Sequence, residues 1–281
     1  MVMKHILGIV ASRRVVGNSE ILAKAAMEAT GSDNQMEMIR LPELDIRPCR
    51  ACYSCLPADV PCHIEDDLNF LLDKIRAADA VVLAAPVYFL GPHSSIKILQ
   101  DRFLSVGNKY QDFAGKPCIT IVSYGVADWE GYAQEVLNIT AKFLNLHLVD
   151  SARFLGANPG EVLEDPENLA RVRQMGRNLV DPNYQRRVKA TECPVCWSEI
   201  LRYDGKDITC PFCGTKGELK VEGQEVKYIF YPEPKHRFSD EGKRHHFDEF
   251  LNSKKQEFIA KKNHYKELQA PYRSLDWWVK P

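Results

Sequence analysis

His5-Ile6-Leu7-Gly8-Ile9-Val10 runs directly into Ala11-Ser12-Arg13-Arg14-Val15-Val16-Gly17-Asn18-Ser19, and an amphipathic segment, Ser19 to Thr30, begins where that turn ends. An apolar run, a polar turn containing Gly and then helical periodicity read as strand, loop and helix. A loop joining a strand to a helix N-terminus offers unpaired backbone N–H groups and the positive end of the helix dipole, which favours a phosphate. The Ser12 and Ser19 hydroxyls, the Asn18 amide and the Arg14 guanidinium complete such a cradle, and Gly17 lets the backbone approach closely. The same residues also read as an ordinary turn with Ser19 as the helix N-cap. The spacing is neither the G-x-G-x-x-G of a dinucleotide fingerprint nor one containing G-K-S/T, so a mononucleotide with a terminal phosphate fits better.

Outward from this unit the same alternation continues for about 180 residues. Strands are expected at His5 to Val10, Glu37 to Leu41, Ala80 to Ala85, Cys118 to Ser123 and His147 to Phe154. Helices are expected at Ser19 to Thr30, Asp67 to Ala77, Ser94 to Ser105, Glu130 to Leu144 and Pro166 to Val180. Short apolar runs alternating with amphipathic segments make a doubly wound α/β domain, a parallel five-stranded sheet in the order 2-1-3-4-5. Ligands then bind beyond the C-terminal ends of the first and third strands. The third strand leaves through Ala85-Pro86-Val87-Tyr88-Phe89, where a flat heterocycle would rest, and Ser123-Tyr124-Gly125 after the fourth strand would close the site from the other side. Tyr88 and Phe89 packing into the core is the plainer alternative.

The alternation breaks at Asp181-Pro182-Asn183, which bounds a first domain, residues 1–183. Residues 190–231 are turn-rich and hairpin-like, and 232–281 form a tail with a charged helix expected from Asp240 to about Lys266. The closing Tyr272, Trp277 and Trp278 are expected to pack on the chain's own domain, with the surface of another subunit as the alternative.

Eight of nine cysteines fall in two clusters. Cys193-Pro-Val-Cys196 and Cys210-Pro-Phe-Cys213 are two C-x-x-C knuckles, a spacing that sets four thiolates around one ion. A module this small needs such a clip, and zinc or rubredoxin-like iron would serve. Rubredoxin knuckles carry Gly after the second cysteine; Gly214 obeys this and Trp197 does not, which favours zinc. Cys49-x-x-Cys52-x-x-Cys55-x6-Cys62 has the spacing of an iron-sulfur site, with free thiols or zinc as alternatives.

The formal net charge is -1, so no whole-molecule field draws the chain to nucleic acid or an anionic membrane. No apolar stretch is long enough to span a bilayer and no signal pattern is visible, so a cytoplasmic location is expected.

Ser12-x-Arg14-x-x-Gly17-Asn18-Ser19 resembles the phosphate loop of the NADPH-dependent FMN reductase and iron-sulfur flavoprotein families, usually G-S-P-R-x-x-G-N-S/T. Ala11 and Arg13 stand where Gly and Pro are usual. Pro86-Val87-Tyr88, Lys97-x-x-x-Asp101-Arg102 and the Cys49 to Cys62 run with Ile64-x-Asp66-Asp67 are similar to the same families. The resemblance implies a flavodoxin-like fold and FMN, with Ser12, Arg14, Gly17, Asn18 and Ser19 on the phosphate and Pro86, Val87, Tyr88 and Phe89 along the ring. Ser123, Tyr124 and Gly125 would face them, with Tyr88 and Tyr124 the candidate catalytic residues. It implies NAD(P)H as donor, a 4Fe-4S cluster on Cys49, Cys52, Cys55 and Cys62, a small-molecule or protein acceptor, and a homo-oligomer, dimer or tetramer. The expected function is an FMN-dependent oxidoreductase; the alternative is an electron carrier that acts only between protein partners.

Overall fold

Runs of consecutive buried apolar residues mark where the central strands lie. The computed structural model describes residues 3–56, 60–106, 110–223, 225–275 and 277–279, and the chain ends named in the domain division fall outside them. Strands β1 (His5–Val10), β2 (Gln35–Arg40), β3 (Ala80–Tyr88), β5 (Pro117–Tyr124) and β6 (His147–Leu155) form one parallel sheet in the order β2-β1-β3-β5-β6. This is the expected flavodoxin-like 2-1-3-4-5 order. The central strands β1, β3 and β5 are buried along most of their length, as strands covered on both faces must be.

Helices α1 (Asn18–Glu28) and α5 (Pro166–Val180) cover one face; α2 (Leu68–Ala77), α3 (Ser94–Asp101) and α4 (Ala133–Phe143) cover the other. The α5 start is written locally: Asp165 accepts from the Glu167 N–H and Pro166 occupies the first turn. Gly176 lets α5 touch α1, since a Cβ there would lie 1.9 Å from the Ala26 carbonyl oxygen. The expected helix over Ser94 to Ser105 stops at Asp101, and Phe103–Ser105 tighten into a 3-10 turn.

One element was not expected. β4 (Gly91–Pro92) folds back on the end of β3, so that Phe89 and Leu90 form a hairpin tip with φ of 48° and 66°. Left-handed backbone at two consecutive non-glycine residues costs about 1–2 kcal/mol each.

The second sheet is antiparallel, β10-β9-β8-β7, from β7 (Arg202–Tyr203), β8 (Asp207–Thr209), β9 (Lys216–Glu222) and β10 (Glu225–Tyr231). The expected tail helix is present, running through α6 (Asp240–Arg244), a π-helical turn (His245–Leu251) and α7 (Asn252–Ala260), with a turn at Lys261 before α8 (Lys262–Arg273). Phe247 in the π turn packs edge-on against Phe143 of α4, which stacks on Phe103. Beyond it the expected packing of the tail aromatics on their own domain is not seen: α7 and α8 bury no residue, and Tyr272, Trp277 and Trp278 are 73%, 80% and 84% exposed. No helix of the described residues is long and apolar enough to cross a membrane.

Candidate functional site

The loop between β1 and α1 is held in shape by bonds to its own donors: Arg14 N–H to the Ser12 hydroxyl at 3.2 Å and Gly17 N–H to the Arg14 carbonyl at 3.3 Å. Ala11 N–H is tied to the Ala84 carbonyl, so the loop starts level with the end of β3. Gly17, not Ser19, is the N-cap of α1; it has no side chain to offer, and no side chain caps the helix in its place. The ordinary-cap alternative therefore fails, and the first-turn N–H groups face the loop. A Cβ on Gly17 would sit 2.8 Å from that of Arg14.

Beneath the loop lies a charged brace. Arg40, at the end of β2, donates to the Ser12 and Arg14 carbonyls at 2.9 and 3.0 Å, and to Glu20 at 2.8 Å. Glu20 also accepts from the Val16 N–H at 2.8 Å and from Lys24 at 2.6 Å. Burial raises its pKa, but the hydrogen bonds from Lys24, Arg40 and Val16 outweigh that and hold it at about 2.

Asn18 lines the site but spends its amide on the loop after β6, donating to the Gly156 carbonyl at 2.7 Å and accepting from the Gly160 N–H at 2.9 Å. Arg14 reaches the Ala157 carbonyl at 3.1 Å, and the Ser19 and Ser123 hydroxyls are 2.7 Å apart. Four segments thus meet in one cavity of about 250 Å³, lined by Ser12, Arg14, Asn18, Ser19, Pro86, Val87, Tyr88, Ser123, Tyr124 and Gly125. Val126, Gly156 and Ala157 line it too. Two of the sequence-predicted residues do not: Gly17 shapes the turn from behind, and Phe89 stands at the hairpin tip, 96% exposed. The donor set fits a phosphate next to an aromatic edge: uncapped helix N–H groups, hydroxyls and one guanidinium beside Tyr88 and Tyr124.

The hairpin that carries Tyr88 is fixed by the segment before α4. Tyr132 N–H donates to the Leu90 carbonyl at 2.8 Å, and a Cβ on Gly131, whose φ is 55°, would fall 2.0 Å from that same oxygen.

Cys49, Cys52, Cys55 and Cys62 lie on the loop between β2 and α2, where Ala51 and Tyr53 take left-handed φ of 50° and 56°. Arg102, 2% exposed, closes the loop from α3: it pairs with buried Asp66 and donates to the Arg47 carbonyl at 2.9 Å and to the Cys62 sulfur at 3.4 Å. Burial first, then the neighbouring Cys62, raises the Cys55 thiol. Among the described residues these four thiols are not part of the cysteine group that closes on one ion.

The four ribbon cysteines do. Cys193, Cys196, Cys210 and Cys213 are fully buried with all sulfurs within 4.8 Å, and Cys193–Cys213 and Cys196–Cys210 are 3.4 Å apart. A tetrahedral shell at about 2.3 Å from a zinc ion has edges near this length. The two knuckles match: Trp197 N–H donates to the Cys193 carbonyl and Gly214 N–H to the Cys210 carbonyl, with φ of 61° and 86°. Trp197 therefore adopts the turn that rubredoxin knuckles assign to Gly, which removes the sequence argument against iron. Its ring lies between Arg186 and Lys142, 4.5 and 5.6 Å from its centroid, and packs on the main core.

Sequence reasoning missed Glu20, Arg40 and the loop 156–160. Only the last carried a visible signal, the turn-rich Gly156-Ala157-Asn158-Pro159-Gly160 after the fifth parallel strand.

Residues 4–158 match the model of the NADPH-dependent FMN reductase family. An iron-sulfur flavoprotein of Archaeoglobus fulgidus is 33% identical over 180 residues, 62% of this chain and 78% of that protein. A flavone synthase of Aspergillus candidus is 28% identical over 248 residues, 73% and 75% of the two chains. A structure described as a flavone reductase superposes with a TM-score of 0.79 at 22% identity over 99% of both chains, which extends the shared fold through the ribbon and tail.

Proposed function

The chain belongs to the NADPH-dependent FMN reductase family, and from that premise we propose that it is an FMN-dependent oxidoreductase taking electrons from NAD(P)H to a conjugated acceptor of quinone or flavone type. The observation that carries the reading is the meeting, in one cavity, of an uncapped helix N-terminus, Ser12, Arg14 and Ser19 with the Pro86 to Tyr88 and Ser123 to Gly125 edges. Bound FMN supplies the redox chemistry, accepting a hydride and releasing electrons in pairs or singly. Arg14 and the hydroxyls hold the phosphate, Asn18 and the Arg40–Glu20 pair keep the loops in register, and Tyr88 and Tyr124 wall the ring. Phe89 and Trp129, 96% and 62% exposed, extend an aromatic rim on which a flat acceptor stacks.

The Cys49 to Cys62 loop, whose spacing resembles that of iron-sulfur sites, is the proposed seat of a 4Fe-4S cluster, and the ribbon holds one zinc or iron. The exposed aromatic tail supports a homo-oligomer. The domain division at 1–183, 190–231 and 232–281 and a cytoplasmic location complete the proposal.

Arg14→Ala tests the phosphate assignment. Removing a charged donor is expected to weaken FMN binding about tenfold or more, read by fluorescence titration; unchanged affinity rejects it. Brisk NAD(P)H consumption with menadione supports the enzyme, whereas none under anaerobic reconstitution favours the electron carrier.

A further inference from the structure

Three side-chain oxygens among the described residues are buried without a hydrogen-bond partner in the protein: Glu130 Oε2, Gln134 Oε1 and Glu135 Oε2. All three residues wall a single cavity of about 470 Å³ between the start of α4, the middle of β6 and the ribbon. Orphaned acceptors are costly, and three of them on residues that line one chamber suit something that donates.

The walls define that donor. Arg171 is spent on Asp150, Arg186 on Glu192, Arg153 on Glu199, and Lys189 on Glu192 and Glu199, so an anion finds no free cation. The carboxylates do not converge on an ion either: among the described residues, the metal-ligating group whose ligand atoms all lie within 4.8 Å is the ribbon's cysteines. What suits a roomy polar chamber is water, and with it the proton. Tyr124 walls this chamber and the cofactor cavity alike, so the two meet at one residue.

We infer that the chamber is a proton relay in which Glu135 holds the proton consumed when the acceptor is reduced. Glu135 is 3% exposed, and burial holds its carboxyl above the usual carboxylate range. The charged groups beside it in the chamber wall are Glu130 before its own helix, Arg153 from β6 and Glu199 from the ribbon; burial outweighs the lowering by backbone hydrogen bonds, including one from Glu199, and by Arg153, while the Glu199 carboxylate pushes the pKa up. The inference rests on the reductase reading above. Two-electron reduction of a conjugated carbonyl adds one hydride from the reduced cofactor and one proton. That proton leaves Glu135 through the chamber past Tyr124 to the acceptor oxygen. The carboxylate is reprotonated from solvent at the rim, where Lys189 is 58% exposed.

The test compares the full-length flavin-loaded protein with E135Q, and with E135D as the conservative variant. FMN affinity is expected to stay at the wild-type value in E135Q. Menadione reduction falls about tenfold or more with a changed solvent deuterium isotope effect and pH profile, while ferricyanide, which takes electrons without protons, is reduced as before. E135D recovers most of the menadione rate. In flavin-free protein at neutral pH the infrared C=O stretch of a protonated carboxyl is present in wild type and missing in E135Q. Equal losses with both acceptors make Glu135 a structural strut and overturn the inference, as does absence of the infrared band in wild type. Should E135Q fail to fold, E135D assigns the band, through a shifted carboxyl stretch that an unshifted band would contradict; failure of the wild type to bind FMN sinks the reductase reading instead.

Discussion

Glu20 is 6% exposed and braces the loop between β1 and α1 on one carboxylate, through Val16, Lys24 and Arg40. Its folded pKa of about 2 lies below the ordinary 4.5, so its contribution is in full force above pH 4.5 and is lost as pH falls from there toward 2. Glu20→Gln is therefore expected to lower stability by about 1–3 kcal/mol at neutral pH and to flatten the acid dependence across that window, measured by urea titration at several pH values. Equal acid sensitivity in variant and wild type would refute the brace. The cradle was legible at this scale because Ser12, Arg14 and Ser19 are contiguous with strand and helix. Its supports were not: Arg40 reaches the loop from β2, and the Gly156 carbonyl reaches Asn18 from the far side of the sheet. Such partners are brought together by topology and leave no local pattern.

At the level of elements, the parallel strands and their helices follow from periodicity because each is long enough to show it. The β3–β4 hairpin escaped because β4 is two residues long and its tip places Phe89 and Leu90 in backbone regions where sequence reading expects Gly or Asn. Tolerance of that tip depends on Gly131, which presses on the Leu90 carbonyl. Gly131→Ala adds a Cβ into this contact at a left-handed φ, and is expected to cost about 1–3 kcal/mol and to weaken FMN binding by displacing Tyr88. Thermal unfolding and flavin titration check both; a variant that keeps its melting temperature and affinity shows the hairpin to be independent of that contact. The tail helix was legible in its charge pattern, whereas the π turn inside it that sets Phe247 against Phe143 is a tertiary demand.

Across the whole molecule, the ribbon and the parallel sheet are joined by Trp197, which packs on the main core, and by the Arg153–Glu199 pair, and the chamber beside Tyr124 lies in that joint. The ribbon's core is its four buried cysteines with a few half-buried apolar side chains, so the metal supplies most of its stability. Stripping the metal with a chelator is expected to expose residues 184–231 to protease while the sheet keeps its FMN. Metal analysis beforehand identifies zinc or iron; retained protease resistance after complete removal would show a ribbon that folds unaided. The central claim, that the loop from Ser12 to Ser19 grips the phosphate of a flavin, is tested most directly by the visible spectrum of protein purified without air and then passed, with added FMN, through a sizing column. The account predicts a yellow protein that releases one FMN per chain on denaturation. A colourless protein that leaves the column free of added FMN would contradict it.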